Sequence, residues 1–465
     1  MSKHPVSDKS LSDSIKDGCA HAAMLGFGEA YIAPFAIFLG MGGLVIGLLA
    51  SLPLFLGSFA QVLSVYFLDR HPHRKLMVVT PAALQALTWI PLFFLPLIFL
   101  RHQVLFLIGF SMIYYSLASF IAPAWNSWMG DLVSPTIRSG YFGHRDRLRT
   151  FFQLAGILIA GVSLNIAKNR DHEIGGFGWI FGLALLARMV SVYYLNRVRE
   201  PGYRLPADEE TFSFFKFLRR SLHNNFGRFT LFMAFMIMTM SIAGPFFALY
   251  MLRDLQFSYL QFTAATTMVI LTQALTFYNW GRLGDKFGNR KILKMTGLTI
   301  PIIPFLWLMS TRFEFILMIQ ALAGILWGGL TLSAANFIFD AVTPVKRARC
   351  VAYYNVLINS GTLIGAGLGG VMAISLPTEF TLFSYHFSLL SNLKILFLVS
   401  GIARIIVGLV FLPVIREVKE VPTSSAWDII LQVVEISPFR GWRFSAFDGT
   451  PPSGQHDDKK ASPDS

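Results

Sequence analysis

Glu29 lies in the stretch "GFGEAYIA". It stands eleven residues into an apolar run that begins near residue 18, roughly 16 Å along a helix at about 1.5 Å per residue. An ionised acid in hydrocarbon is expensive, so this one must face a cavity, pair with a base or carry a proton. Two readings follow: coupling of a proton or substrate, or a buried structural ion pair. The glycines and alanines around it suit a close helix contact or a cavity wall. Arg188 in "LLARMV" and Arg404 in "GIARII" also interrupt apolar runs. They could bind an anion as a pair, or each could clamp carbonyls and polar groups within its own bundle.

A second group mixes polar, aromatic and thioether side chains in apolar surroundings: Tyr114, Tyr115, Trp125, Asn126, Gln320, Trp327 and Asn336, with Met236 and Met240. Each is open between packing and ligand contact, and the two methionines would make an adaptable apolar wall. Other chemistries lack their residues. Cys19 and Cys350 match no metal or redox spacing, the histidines mostly stand singly in loops, and neither HExxH nor a P-loop lysine occurs. "GAGLGG" at 365–370 matches G-x-G-x-x-G literally, but no strand precedes it. Gly361, Gly365 and Gly369 read instead as a small-residue packing stripe, with Gly156, Ala160 and Gly161 as the first-half counterpart. The expectation is no metal, no cofactor and no enzyme.

The elements that hold these residues follow from composition. The chain has 465 residues, 54% hydrophobic and 14% charged, with a mean hydropathy of +0.56; soluble domains carry about 25% charged residues. Runs of about 20 apolar residues, enough to span ~30 Å of hydrocarbon, occur at 18–39, 43–68, 76–100, 103–129, 150–168, 177–197, 229–252, 261–281, 292–310, 314–338, 351–376 and 393–415. The fold class is all-α integral membrane with twelve spans. Lys and Arg favour the loops after even-numbered spans, about 22 against about 6 on the other side, which places both termini in the cytoplasm. The net charge of +13 is spread over short loops, which argues against nucleic acid and for anionic lipid. A polar 1–17 segment precedes the first six spans (18–197). The linker 198–228 contains the amphipathic "FSFFKFLRRSLHNNFGRF". The second six spans (229–416) and a partly disordered 417–465 tail follow. No cleavable signal peptide is expected.

The halves repeat. "DRHPHRK" from Asp69 aligns with "DKFGNRK" from Asp285 at a shift of 216, which also pairs Arg188 with Arg404. A shift of 209 matches Asp131 with Asp340 and Arg138 with Arg347, and one of 211 pairs "APF" at Ala33 with "GPF" at Gly244. "GRLGDKFGNRK" (Gly281 to Lys291) resembles the loop motif of the major facilitator superfamily, G-x-x-x-D-(R/K)-x-G-x-(R/K)-(R/K). The first copy departs from it, with Val65 and Pro72 where the glycines should stand. "WNSWMGDLVSPTIRSGYFG" looks like a bacterial subgroup of that family.

The resemblance implies two pseudo-symmetric six-helix bundles and alternating access to a site between them. It also implies a cytoplasmic latch built from Asp69, Arg70, Arg74, Asp131, Arg138, Gly281, Asp285, Lys286, Gly288, Arg290, Lys291, Asp340 and Arg347. In that latch Arg74 pairs with Asp131 and Arg290 with Asp340; topogenic charge alone is the alternative. The function expected is a monomeric secondary transporter of the bacterial inner membrane, moving a small organic solute with protons. A receptor or scaffold without transport, or a facilitated-diffusion uniporter, would keep the same fold.

Overall fold

The computed structural model describes residues 8–418 except 69, 71–72, 99–101, 135–136, 203–213, 222, 378, 383–384 and 389–390. Among the described residues twelve helices are long and apolar enough to cross a membrane: Lys9–Phe38, Gly43–Leu68, Arg74–Ile98, Gln103–Leu132, Gly140–Asn169, Glu173–Arg197, Asn225–Asp254, Tyr259–Phe287, Asn289–Met309, Phe313–Ala341, Arg349–Ser375 and Leu393–Phe411. They are numbered below as the first to twelfth spans. Large apolar side chains such as Leu105, Phe151, Trp179, Ile374 and Leu409 are exposed on them, a surface suited to lipid rather than water. An even number of spans puts residues 8 and 418 on one face, called here the basal face.

The internal repeat reappears in the packing. In the first half the first span packs on the fifth and sixth, the second on the fourth, and the third on the fourth and sixth. In the second half the seventh packs on the eleventh and twelfth, the eighth on the tenth, and the ninth on the tenth and twelfth. The two most extensive contacts between halves, second to eleventh and fifth to eighth, are images of each other, and smaller ones join the seventh span to the first and second. Close approach depends on small residues. A Cβ at Gly26 would meet the Gln153 carbonyl, and one at Gly365 would meet the Met238 carbonyl. The glycine stripe of the eleventh span is therefore a helix-packing surface.

Three features differ from the sequence reading. The first helix starts at Asp8, about ten residues before the expected 18, with Asp13, Ser14 and Asp17 buried. Hydropathy misses this turn because its polar side chains are neutralised by bonds to neighbouring spans. The linker helix, Phe214–Arg220, does not only lie toward lipid. Phe217 is buried and packs 5.7 Å from Tyr353 and 6.0 Å from Phe226, ring centre to ring centre, while Phe215 is exposed. Phe212, Leu222 and the tail beyond 418 lie outside the described residues. Finally, a short antiparallel hairpin, β1 (Glu379–Leu382) and β2 (Tyr385–Ser388), pairs Glu379 with Ser388 on the face opposite the termini. The twelve-helix, two-bundle architecture stands with this addition.

Candidate functional site

The first span is not continuous. Its α-helix ends at Phe27, a single 3-10 turn covers Glu29–Tyr31, and helix resumes at Ile32–Phe38. Pro34 accounts for the position of the break, since a proline ring clashes with the carbonyl four residues earlier, here Ala30. Gly28 lets the backbone come against the Trp89 ring. The seventh span breaks at the equivalent place: helix to Ser241, then Pro245 before a new short helix at Phe246–Leu249. The repeat thus aligns Glu29 with Met240.

Glu29, half-buried in its break, accepts a hydrogen bond from Tyr114 Oη at 2.9 Å, and the Tyr115 hydroxyl bears on the same carboxylate. Tyr114 is fully buried between Trp89, 5.2 Å away, and Tyr115, 5.1 Å away. No ion pair to Glu29 occurs among the described residues. Arg188 does not serve as its counter-ion. Arg188 donates from Nη1 to Ser191 Oγ at 2.9 Å, and Ser191 donates to Asp17 Oδ1 at 2.7 Å. Asp17 is in turn paired with Arg145 at 3.4 Å, both side chains nearly inaccessible. Asp13 pairs with Arg197 at 3.3 Å on the same helix face. The sequence reading missed Asp17 and Arg145. The signal available was the Asp13/Asp17 spacing, four residues apart on one face of a helix running straight into an apolar segment.

In the second half a cavity of about 320 Å³ is walled by the seventh to tenth spans and Arg404 of the twelfth. Met240, Gln320 and Trp327 line it, as do Ser241 and Trp307. Arg404 reaches the cavity from the twelfth span because the break at 242–245 leaves space in front of it. Its expected clamp bonds are present all the same: Nε donates to Ser400 Oγ at 3.1 Å and Nη2 to the Met240 carbonyl at 3.4 Å.

The remaining candidates scatter. Met236 is packed in an aromatic-rich core with Phe229 and Phe337 and does not reach the cavity. Trp125 lies beneath the Arg145 guanidinium, 4.5 Å from the ring centre. Asn126 is exposed, and Asn336 is half-buried away from the cavity wall.

The basal loops repeat atom for atom in part. Arg138 Nη2 donates to the Gly130 and Val133 carbonyls, and Arg347 Nη2 to those of Phe339 and Val342. Each arginine closes the end of the preceding helix through carbonyls eight and five residues back. Arg74, wholly buried, pairs with Asp131 at 2.5 Å as expected and also donates to Ser127 and the Pro201 carbonyl. The expected Arg290–Asp340 pair is not formed among the described residues; Asn289 donates to Asp340 at 2.8 Å instead. The tight turn at Gly288 explains the one-residue offset, because it sits at φ 88° between the eighth and ninth spans, where a side chain would be strained. Arg70 lies over the Tyr66 ring at 3.6 Å and Lys286 over Phe287 at 5.1 Å. Gly281 is half-buried on the eighth span, facing Leu332. Asp69 lies outside the described residues.

Polar bonds between halves were also missed. Tyr31 Oη donates to the Ile157 carbonyl at 2.7 Å and lies 2.8 Å from Thr263 Oγ1 of the other half. Asn355 donates to Gln61 at 2.8 Å. Side-chain contacts described between the fifth and eighth spans, such as Gly161 with Thr263 and Lys168 with Tyr259, gather at the end away from the basal face.

Comparison with known proteins follows the same division. The family model "Major Facilitator Superfamily" matches residues 229–446. The quinolone resistance protein NorA of Staphylococcus aureus is 26% identical over 93 residues, 20% of this chain and 24% of NorA. The efflux pump azaK of Aspergillus niger is 26% identical over 102 residues, 22% of each chain. These matches span about a quarter of the relatives' length. Whole-chain likeness comes from solved structures. The D-xylose-proton symporter has a TM-score of 0.65 at 12% identity, covering 89% of this chain and 98% of that one. The nucleoside transporter NupG has a TM-score of 0.60 at 12% identity, covering 88% and 99%. The two six-helix halves thus repeat each other down to their arginine caps, the Major Facilitator Superfamily model fits the second of them, and the whole chain is similar in fold to solved transporters.

Proposed function

We propose that the protein is a secondary transporter that moves a small organic solute by alternating access and couples the movement to protons at Glu29. The observation that carries this reading is the setting of that carboxyl: at the break of the first span, held by phenol hydroxyls rather than by a cation. A carboxyl with neutral partners can take up and release a proton without first breaking an ion pair. The charged and titratable groups around it are Tyr114 and Tyr115 of the fourth span, with Arg188 of the sixth beyond Tyr114. The Lys/Arg bias supports a cytoplasmic basal face in a bacterial inner membrane. Contacts between the fifth and eighth spans at the far end support a state closed to the outside. The halves 18–197 and 229–416 move as bodies joined by 198–228, in a monomer. The relatives' names, with resistance and efflux among them, favour export.

The test uses purified protein in liposomes with an imposed pH gradient. Solutes that shift its melting temperature in a library screen, by native-state binding, are tried as substrates. The expected result is solute-dependent proton flux in the wild type, with at least a tenfold loss in Glu29→Gln and solute binding retained. Full coupled flux in Glu29→Gln sinks the proton assignment. Binding without flux in either direction favours the receptor reading.

A further inference from the structure

Arg188 and Arg404 occupy one register of the repeat, yet their charges are met differently. Arg188 reaches an acid, Asp17, through Ser191. Arg404 is only 4% exposed and touches two neutral oxygens, Ser400 Oγ and the Met240 carbonyl. It forms no ion pair among the described residues. A guanidinium keeps its proton in proteins, and a buried charge left without a partner is strongly unfavourable. The repeat places Arg228 at the position of Asp17 and the thioether of Met240 at that of Glu29, so neither position brings Arg404 an acid. What Arg404 borders instead is the 320 Å³ cavity, a size at the low end of small-molecule pockets, roughly 300–1,000 Å³. Trp307, a second wall residue 1% exposed, has an indole N–H with no acceptor among the described residues. Gln320 points its amide N–H at the Ala265 carbonyl, 3.4 Å away.

We propose that this cavity binds the carboxylate of a small organic monoanion, which supplies the missing counter-charge to Arg404. The carboxylate takes the free edge of the guanidinium, with the Trp307 N–H as a second donor. The apolar body of the anion lies against Trp327 and Met240. One fixed positive charge and aromatic walls fit a singly charged organic acid better than phosphate, which carries more charge and no apolar surface. The inference deepens the transporter reading and rests on it only in making this anion the solute.

The experiment uses the full chain in lipid nanodiscs, with benzoate and its neutral isostere benzamide as probes, read by melting temperature and tryptophan fluorescence. Benzoate is expected to raise the melting temperature by several degrees, with benzamide binding at least tenfold more weakly and chloride or phosphate giving no shift. Arg404→Gln should lose tenfold or more in benzoate affinity, and Arg404→Lys should recover part of it. Since Arg404→Gln can also fail to insert, Met240→Glu provides an independent arm. It places an acid beside the guanidinium, so it should keep or raise the melting temperature and abolish benzoate binding. Equal binding of benzoate and benzamide, benzoate binding unchanged in either variant, or a chloride shift as large as that of benzoate overturns the proposal. Benzoate binding without flux counts against the transport reading alone. Flux of solutes that is unchanged in Met240→Glu overturns the anion site as the solute site and leaves transport standing.

Discussion

At the scale of single residues, the first half keeps Glu29 and Asp17 apart in chemistry. Glu29 has phenols for partners, whereas Asp17 is locked between Arg145 and, through Ser191, Arg188. The former can gain a proton at little structural cost; the latter cannot. Asp17→Asn leaves two buried guanidinium groups without their anion, so it should lower stability by roughly 3–5 kcal/mol. Thermal unfolding in detergent measures this, and the drop should exceed that of Asp13→Asn, whose partner Arg197 is 39% exposed and solvated. Equal drops would show that burial does not set the cost. Glu29, Arg188 and Arg404 were legible in the sequence because a charge inside an apolar run has few innocent explanations. Asp17 and Arg145 were not, because each lies in a polar stretch that composition assigns to water. Only the packing of three helices shows that they are buried.

Helices and turns tell a similar story. The twelve spans were readable from length and hydropathy, and the break at Glu29 follows from Pro34. The helical turns before residue 18 were not readable, since hydropathy cannot see polar groups that satisfy one another. Nor could the repeat reveal that Asn289, not Arg290, would meet Asp340; a register offset of one residue is set by the backbone at Gly288. That glycine carries a specific expectation. Gly288→Ala forces a side chain into φ 88°, at roughly 1–2 kcal/mol. It should lower the melting temperature by a few degrees and slow exchange between states, as read by cysteine accessibility on the eighth and ninth spans. A variant as stable as wild type would mean that the turn relaxes to negative φ. Gly281, half-buried against Leu332, offers a control without that backbone strain.

For the whole molecule, the duplication explains more than the fold. Paired helix contacts and the arginine caps of Arg138 and Arg347 are preserved between halves, whereas the centres have diverged: an acid on phenols in one, an arginine at a cavity in the other. Scaffold positions kept their chemistry and interior positions changed theirs, which suits a frame reused around a specialised site. If the halves rock against each other, a disulfide across the far face should stop them. The double substitution Gly161→Cys with Thr263→Cys, whose Cβ positions would adjoin, should cross-link on oxidation, abolish solute flux and recover on reduction. Undiminished flux after complete cross-linking would end the rocking model. The polar bonds between halves, Tyr31 of the first span to Thr263 of the eighth and Gln61 of the second to Asn355 of the eleventh, were hidden among ordinary polar residues of apolar helices.

The bond at Tyr31 also bears on how readily such a protein could switch. Its single proton goes to the Ile157 carbonyl, within its own half, so Thr263 is the donor across the divide. When the halves part, the phenol proton stays satisfied. The threonine hydroxyl can turn back to a carbonyl of its own helix, as Thr266 does to Phe262. Neither side is left with an orphaned polar group. Parting at this point forfeits one interhelical bond of about 0.6 kcal/mol, comparable to thermal energy. The hydrogen bond is thus a light catch on the seam, and what holds the door closed is the packing around it.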